Sequence, residues 1–140
     1  MVDIESVSSR LDHLDELLQE LDAIRADGRD SYMAQWRTRL AAEHALQLAI
    51  QTCIDISAHL VSELGLKTPE DYRGVFESLC PVGLDAQLAE RLATAAGMRN
   101  ILVHGYLDVD DDVVWEALAQ LDDLRLFAAA AQQMIDSRKA

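Results

Sequence analysis

Four residues near the start of the chain's last third have types and spacing that can do chemistry: Arg99, Asn100, His104 and Tyr106. Arg99 occupies a place in an apolar stripe, Leu88, Leu92, Ala95, Arg99, Leu102, Tyr106. A guanidinium stays charged, and burying one without a partner is costly. Arg99 must therefore face a carboxylate, a subunit boundary or a bound anion, or else snorkel at the bundle edge. Asn100 and His104 are four apart and share a helix face. Arg99 and His104 are five apart, about 140° around the axis, so they meet only if the helix loosens before Gly105 or if two copies face each other. Taken alone, a histidine at a helix end serves either as a cap or as a proton carrier.

A second polar line interrupts the most apolar stretch of the chain. Glu43, Gln47, Gln51, Asp55 and His59 follow one another at steps of four. This line is either a solvated ridge between two buried flanks or a face that supplies a carboxylate to Arg99. Asp55 is the candidate for that carboxylate, and His59 lies within its reach at i, i+4. The chain has no Glu-x-x-His, His-Glu-x-x-His, P-loop or G-x-G-x-x-G pattern. The acids from Asp108 to Asp112 lack the spacing of an EF-hand and read as helix-start charge. No residue set calls for a metal or another cofactor. His13 beside Ser6, Ser8 and Ser9 reads as the polar side of a helix, and His44 as an ordinary helix residue.

The elements that position these residues are helices. Ala and Leu account for 41 of 140 residues, whereas Thr occurs 4 times and aromatics make up 5%. That composition favours helices over sheets. Ile4, Val7, Leu11, Leu14, Leu18 and Leu21 mark a first helix over 4–24. A turn at Asp27-Gly28 follows. The stretch 31–64 has no Gly or Pro until Gly65, and reads as one long central helix of ~50 Å. A short helix over 70–79, capped by Thr68 with Pro69 at its start, precedes a break at Cys80-Pro81-Val82-Gly83. A fourth helix starts near Leu84 and carries the Arg99 stripe. A fifth spans 113–135 on Val114, Ala117, Leu121, Leu124, Ala128, Ala131 and Ile135. The expected fold is an all-α, up-and-down bundle of four long helices and one short one, in a single domain over 1–140.

The net charge of −13 excludes a broad basic surface for nucleic acid. Such binding would need a local pocket working against an unfavourable field. Cys53 and Cys80 form no disulfide framework, which suits a reducing cytoplasm. No run of 18 apolar residues is present, so neither a membrane span nor a membrane role is expected.

The stretch Gly97-Met98-Arg99-Asn100-Ile101-Leu102-Val103-His104-Gly105-Tyr106 resembles the R-x-x-x-x-H-x-Y signature of HEPN domains, specifically the HepT-like ribonuclease toxins. Glu43 through Gln51 and Ile54 through Leu60 are similar to that family's long second helix. Pro69 through Leu79, with Tyr72 and Phe76, is similar to its short third helix. The resemblance implies a homodimeric toxin that cleaves RNA, either tRNA or mRNA, without a metal. It implies a minimal nucleotidyltransferase (MNT) antitoxin as partner, which neutralises the toxin by attaching AMP to Tyr106. RNA carries its own nucleophile, the 2′-OH. In this reading His104 moves the proton and Arg99 stabilises charge on the phosphorane. Asn100 orients the imidazole or binds a phosphate oxygen, and Tyr106 stacks on a base or places the phosphate. The alternative is a non-catalytic module that docks a nucleotidyltransferase or holds a nucleotide.

Overall fold

The computed structural model describes residues 4–105 and 109–139. The described residues contain helices and no strand. The helices are α1 (Ile4–Ala26), α2 (Arg29–Ala34), α3 (Trp36–Glu63), α4 (Ala86–His104), α5 (Asp111–Ala117) and α6 (Asp122–Lys139). Single 3-10 turns lie at Glu77–Val82 and Leu118–Gln120. Helices α1, α3, α4 and α6 are the four long ones, and α3 packs against the other three. The apolar positions recur at helical spacing, and each amphipathic stripe finds its shelter against a neighbouring stripe.

The centre of the bundle holds Leu14, Leu21, Ile56, Leu60, Leu92, Phe127 and Ile135, all buried. Phe76 and Phe127 meet edge to face, with centroids 5.7 Å apart at 82°. This contact anchors the irregular 64–85 connection on α6. The stop expected at Gly65 is present. Its φ is +66°, and the Leu66 N–H donates to the Val61 carbonyl at 3.0 Å, which closes the end of α3.

Three expected elements differ. The long central helix is broken at Gln35, whose backbone is extended (φ −113°, ψ 103°). The break turns α2 so that Tyr32 becomes buried and its ring lies 5.2 Å from that of Trp115. Burial of a large aromatic ring outweighs one lost helical junction. Likewise, the fifth helix is divided into α5 and α6 by the 3-10 turn. Arg25 donates to the Trp115 carbonyl at 2.9 Å and places its guanidinium 4.5 Å over the indole, which ties α5 to the end of α1, while α5 packs on α2 and α3. The short helix expected over 70–79 is a series of turns followed by the Glu77–Val82 3-10 turn, with Pro81 inside it. Thr68 and Pro69 therefore cap no helix.

Candidate functional site

Helix α4 positions Arg99, Asn100 and His104. Its start is fixed by Asp85, which accepts from the Leu88 N–H at 2.9 Å. Leu88, Leu92, Ala96 and Leu102 then bury its inner face. Arg99 falls on that inner side and is half-buried. Its Nε is buried and has no hydrogen-bond partner among the described residues. Asn100 is half-buried beside it, and His104 is exposed as the last residue of α4. Gly105 closes the helix, and its N–H donates to the Ile101 carbonyl at 2.7 Å. A Cβ at position 105 would lie 2.9 Å from that carbonyl oxygen, closer than side-chain carbons pack. Only glycine lets the chain turn off α4 this tightly. Tyr106, expected to bind substrate and to be modified, lies outside the described residues.

The expected Asp55–Arg99 pair is not formed. Asp55 Oδ1 accepts from Gln51 Nε2 at 2.8 Å, and Asp55 lines a shallow groove with Arg10, Ala58, His59 and Ser62 between α1 and α3. The physical reason is local. A glutamine one turn away supplies a donor at small entropic cost, and the half-buried carboxylate turns to it. The whole polar line from Glu43 to His59 is half-buried, at the margin between solvent and the packed flanks. At its N-terminal end the Glu43 carboxyl is pushed above its ordinary range by burial and by Asp111, with Arg39 opposing.

The sequence reading missed two features. The Gln51 Oε1 atom is buried without a donor. An open apolar cleft of about 220 Å³ also lies beside α4, floored by Leu46 and Ile50 and walled by Ala95, Met98, Leu121 and Leu124. Its one trace in the sequence is that Met98 and Ile101 are apolar yet lie off the core stripe, which does not say what they face. Among the described residues no three His, Cys, Asp or Glu side chains gather closely enough to hold a metal ion, and no helix is long and apolar enough to cross a membrane.

A helical bundle whose third long helix carries an arginine with its Nε unpartnered among the described residues, and ends on an exposed histidine, has the layout of the HEPN class. The chain belongs to the HepT-like ribonuclease family: the family model described as "Ribonuclease HepT-like" matches residues 13–131. A tRNA nuclease HepT from Aphanizomenon flos-aquae is 34% identical over 125 residues, covering 85% of this chain and 83% of the relative. An mRNA nuclease HepT from Shewanella oneidensis is 33% identical over 84 residues, covering 59% of this chain and 63% of the relative. In structure, the chain resembles a tri-AMPylated Shewanella oneidensis HEPN toxin solved in complex with its MNT antitoxin. The TM-score is 0.83 at 24% identity, over 95% of this chain and 99% of that one. That likeness establishes the fold.

Proposed function

We propose that this chain, acting as one domain over 1–140, is a cytoplasmic ribonuclease toxin that works as a homodimer. In this reading the 2′-OH of RNA attacks the adjacent phosphorus, a 2′,3′-cyclic phosphate forms, and the 5′-oxygen leaves. His104 takes the 2′-OH proton, and the partner copy's equivalent imidazole delivers one to the departing oxygen. Arg99 stabilises the extra charge on the phosphorane. Asn100 orients the imidazole or holds a phosphate oxygen, and Tyr106 stacks on a base. Asp55, which accepts from Gln51, acts on the substrate groove from α3 rather than as a partner of Arg99.

The observation that carries this reading is the buried Nε of Arg99, unpartnered among the described residues and five residues from an exposed His104. A buried donor without an acceptor costs about 1–3 kcal/mol; the Tyr32 hydroxyl shares that state, but Arg99 differs in carrying a permanent charge at the half-buried edge of α4. A phosphate oxygen supplies the missing acceptor. Pairing two copies also resolves the 140° offset between Arg99 and His104, because the arginine of one copy then faces the histidine of the other. The few cations gathered there offset the acidic surface elsewhere. In the same reading an MNT-type nucleotidyltransferase antitoxin transfers AMP from ATP to the Tyr106 hydroxyl and releases pyrophosphate. The added phosphate then competes with RNA for Arg99.

The test is direct. Purified wild-type protein, His104→Ala and Arg99→Ala are each incubated with tRNA and with mRNA. Cleavage by wild type alone supports the assignment, and the RNA that is cut identifies the substrate class. Cleavage by His104→Ala at the wild-type rate overturns it.

A further inference from the structure

Two buried polar atoms on neighbouring helices have opposite needs. Among the described residues, Gln51 Oε1 of α3 is an acceptor without a donor, and Arg99 Nε of α4 is a donor without an acceptor. We propose that Gln51 is a positioning residue for Arg99 and that Asp55 acts through it. When a phosphate binds, Gln51 Oε1 accepts an N–H of the guanidinium and fixes its plane. The inference rests on the ribonuclease reading above.

The two residues stand at one level of the bundle. Ile50 and Met98 line the same cleft, and Gln51 and Arg99 are the next residues along their helices. Arg99 shares its stripe with Leu92 and Leu102, which are buried, and α4 packs chiefly on α3. The guanidinium therefore leaves α4 on the side where α3 lies. Packed helices are about 8–10 Å apart, a gap that an arginine and a glutamine span between them.

The amide is also turned the right way. Which end of a glutamine amide is oxygen is decided by its partners. Gln51 Nε2 donates to Asp55 Oδ1 at 2.8 Å. A carboxylate only accepts, so Asp55 takes the NH₂ end and directs Oε1 elsewhere. A glutamine free to flip would offer an arginine its NH₂ group as readily as its oxygen. Asp55 removes that ambiguity from one helical turn away, and so serves Arg99 at one remove and not as its direct partner.

The chemistry follows from the shape of the guanidinium, which carries five N–H groups in one plane. Nε and one Nη fork onto phosphate oxygens, and a remaining Nη–H goes to Gln51. A fork already held in plane needs no reorganisation as charge builds on the phosphorane, and such preorganised donors stabilise that charge best. Gln51 touches neither RNA nor the reacting atoms and acts through Arg99.

The experiment compares the full chain with Gln51→Leu, Gln51→Glu, Asp55→Asn and the double variant Gln51→Leu/Asp55→Asn on the RNA that the wild type cuts. It measures kcat and KM separately, with thermal denaturation alongside. Gln51→Leu is expected to lower kcat about ten- to hundred-fold and to change KM less than about three-fold, the pattern of an interaction made in the transition state. Its melting temperature is expected to stay at or above wild type, because a buried acceptor without a donor is removed. A residue that only held the fold together would lower it. Gln51→Glu keeps an oxygen toward Arg99 and is expected to exceed Gln51→Leu in kcat by about five-fold. Asp55→Asn frees the amide to flip and is expected to cost about three- to ten-fold in kcat. Added to Gln51→Leu it is expected to cost nothing further, since its effect passes through Gln51. Wild-type kcat in Gln51→Leu overturns the proposal, and so does a double variant whose loss is the product of the two single losses. If Gln51→Leu does not fold, Asp55→Asn decides, and wild-type kcat there overturns the proposal. A wild type that cuts RNA beside an unaffected Gln51→Leu removes this inference alone, whereas a wild type that cuts no RNA removes the functional reading and this inference with it.

Discussion

Two sets of arginines occupy different regions of this molecule. Where α1, α2, α5 and α6 meet, four are engaged. Arg25 grips Trp115, Arg29 pairs with Asp112, Arg39 lies 3.4 Å from Asp111, and Arg125 bonds Asp22 and Asp122. On the α3–α4 side, Arg99 is held half-buried with its Nε unsatisfied. The first group closes the short helices onto the bundle. In the proposed reading the second leaves a cation free for an anion that arrives from outside. An engaged arginine contributes to the fold, whereas a buried donor without an acceptor costs stability.

This contrast can be broken by mutation, with the nuclease effects expected to be largest. His104→Ala should lower RNA cleavage by about 10²–10⁴-fold, the range typical of a lost general acid or base. Helix content by circular dichroism should not change. Arg99→Ala should cost about 10²–10³-fold in cleavage, while thermal denaturation stays at or slightly above wild type because an unpaired buried donor is removed. A fall in stability as large as that of a core truncation would place Arg99 in the first group. Gly105→Ala should destabilise the protein by about 1–3 kcal/mol in urea denaturation, since the new methyl meets the Ile101 carbonyl. It should also reduce cleavage by displacing His104.

Arg25→Ala tests the other region. It should cost about 1–2 kcal/mol through the lost hydrogen bond and cation–π contact, and leave cleavage intact. The smallest effect concerns Glu43. Its carboxyl titrates above its ordinary range in the folded state. The folded protein therefore holds the proton more tightly than the unfolded chain, and stability falls as pH rises through the window between the two values. Glu43→Gln should raise the melting temperature at pH 7 by about 1–2 °C. Below about pH 4, where the wild-type carboxyl is protonated in both states, the gain should vanish.

Much of the candidate site could be read directly from residue order. Arg99 stood out because a charge occupied a core position, and Asn100, His104 and Gly105 followed from spacing along one helix. The Asp55–Arg99 pair did not form, because Gln51 competes for Asp55 within the same helix and spacing alone does not rank two donors. The cleft at Met98 was hidden because an apolar residue off the stripe has no partner until α6 is placed beside it.

The sequence by itself determined that the chain is helical, where the four long stripes run, and which cation sits among apolar neighbours. These are properties of local period and residue type, carried within a few turns. Only the tertiary structure decided the breaks at Gln35 and at Leu118–Gln120, the partners of Asp55, and the open flank of α4. Each of those depends on residues far apart in the chain, such as Tyr32 with Trp115 or Arg25 with the Trp115 carbonyl. Their burial and hydrogen bonds outweigh the helix propensity of the few residues at each junction, which amounts to less than about 1 kcal/mol apiece.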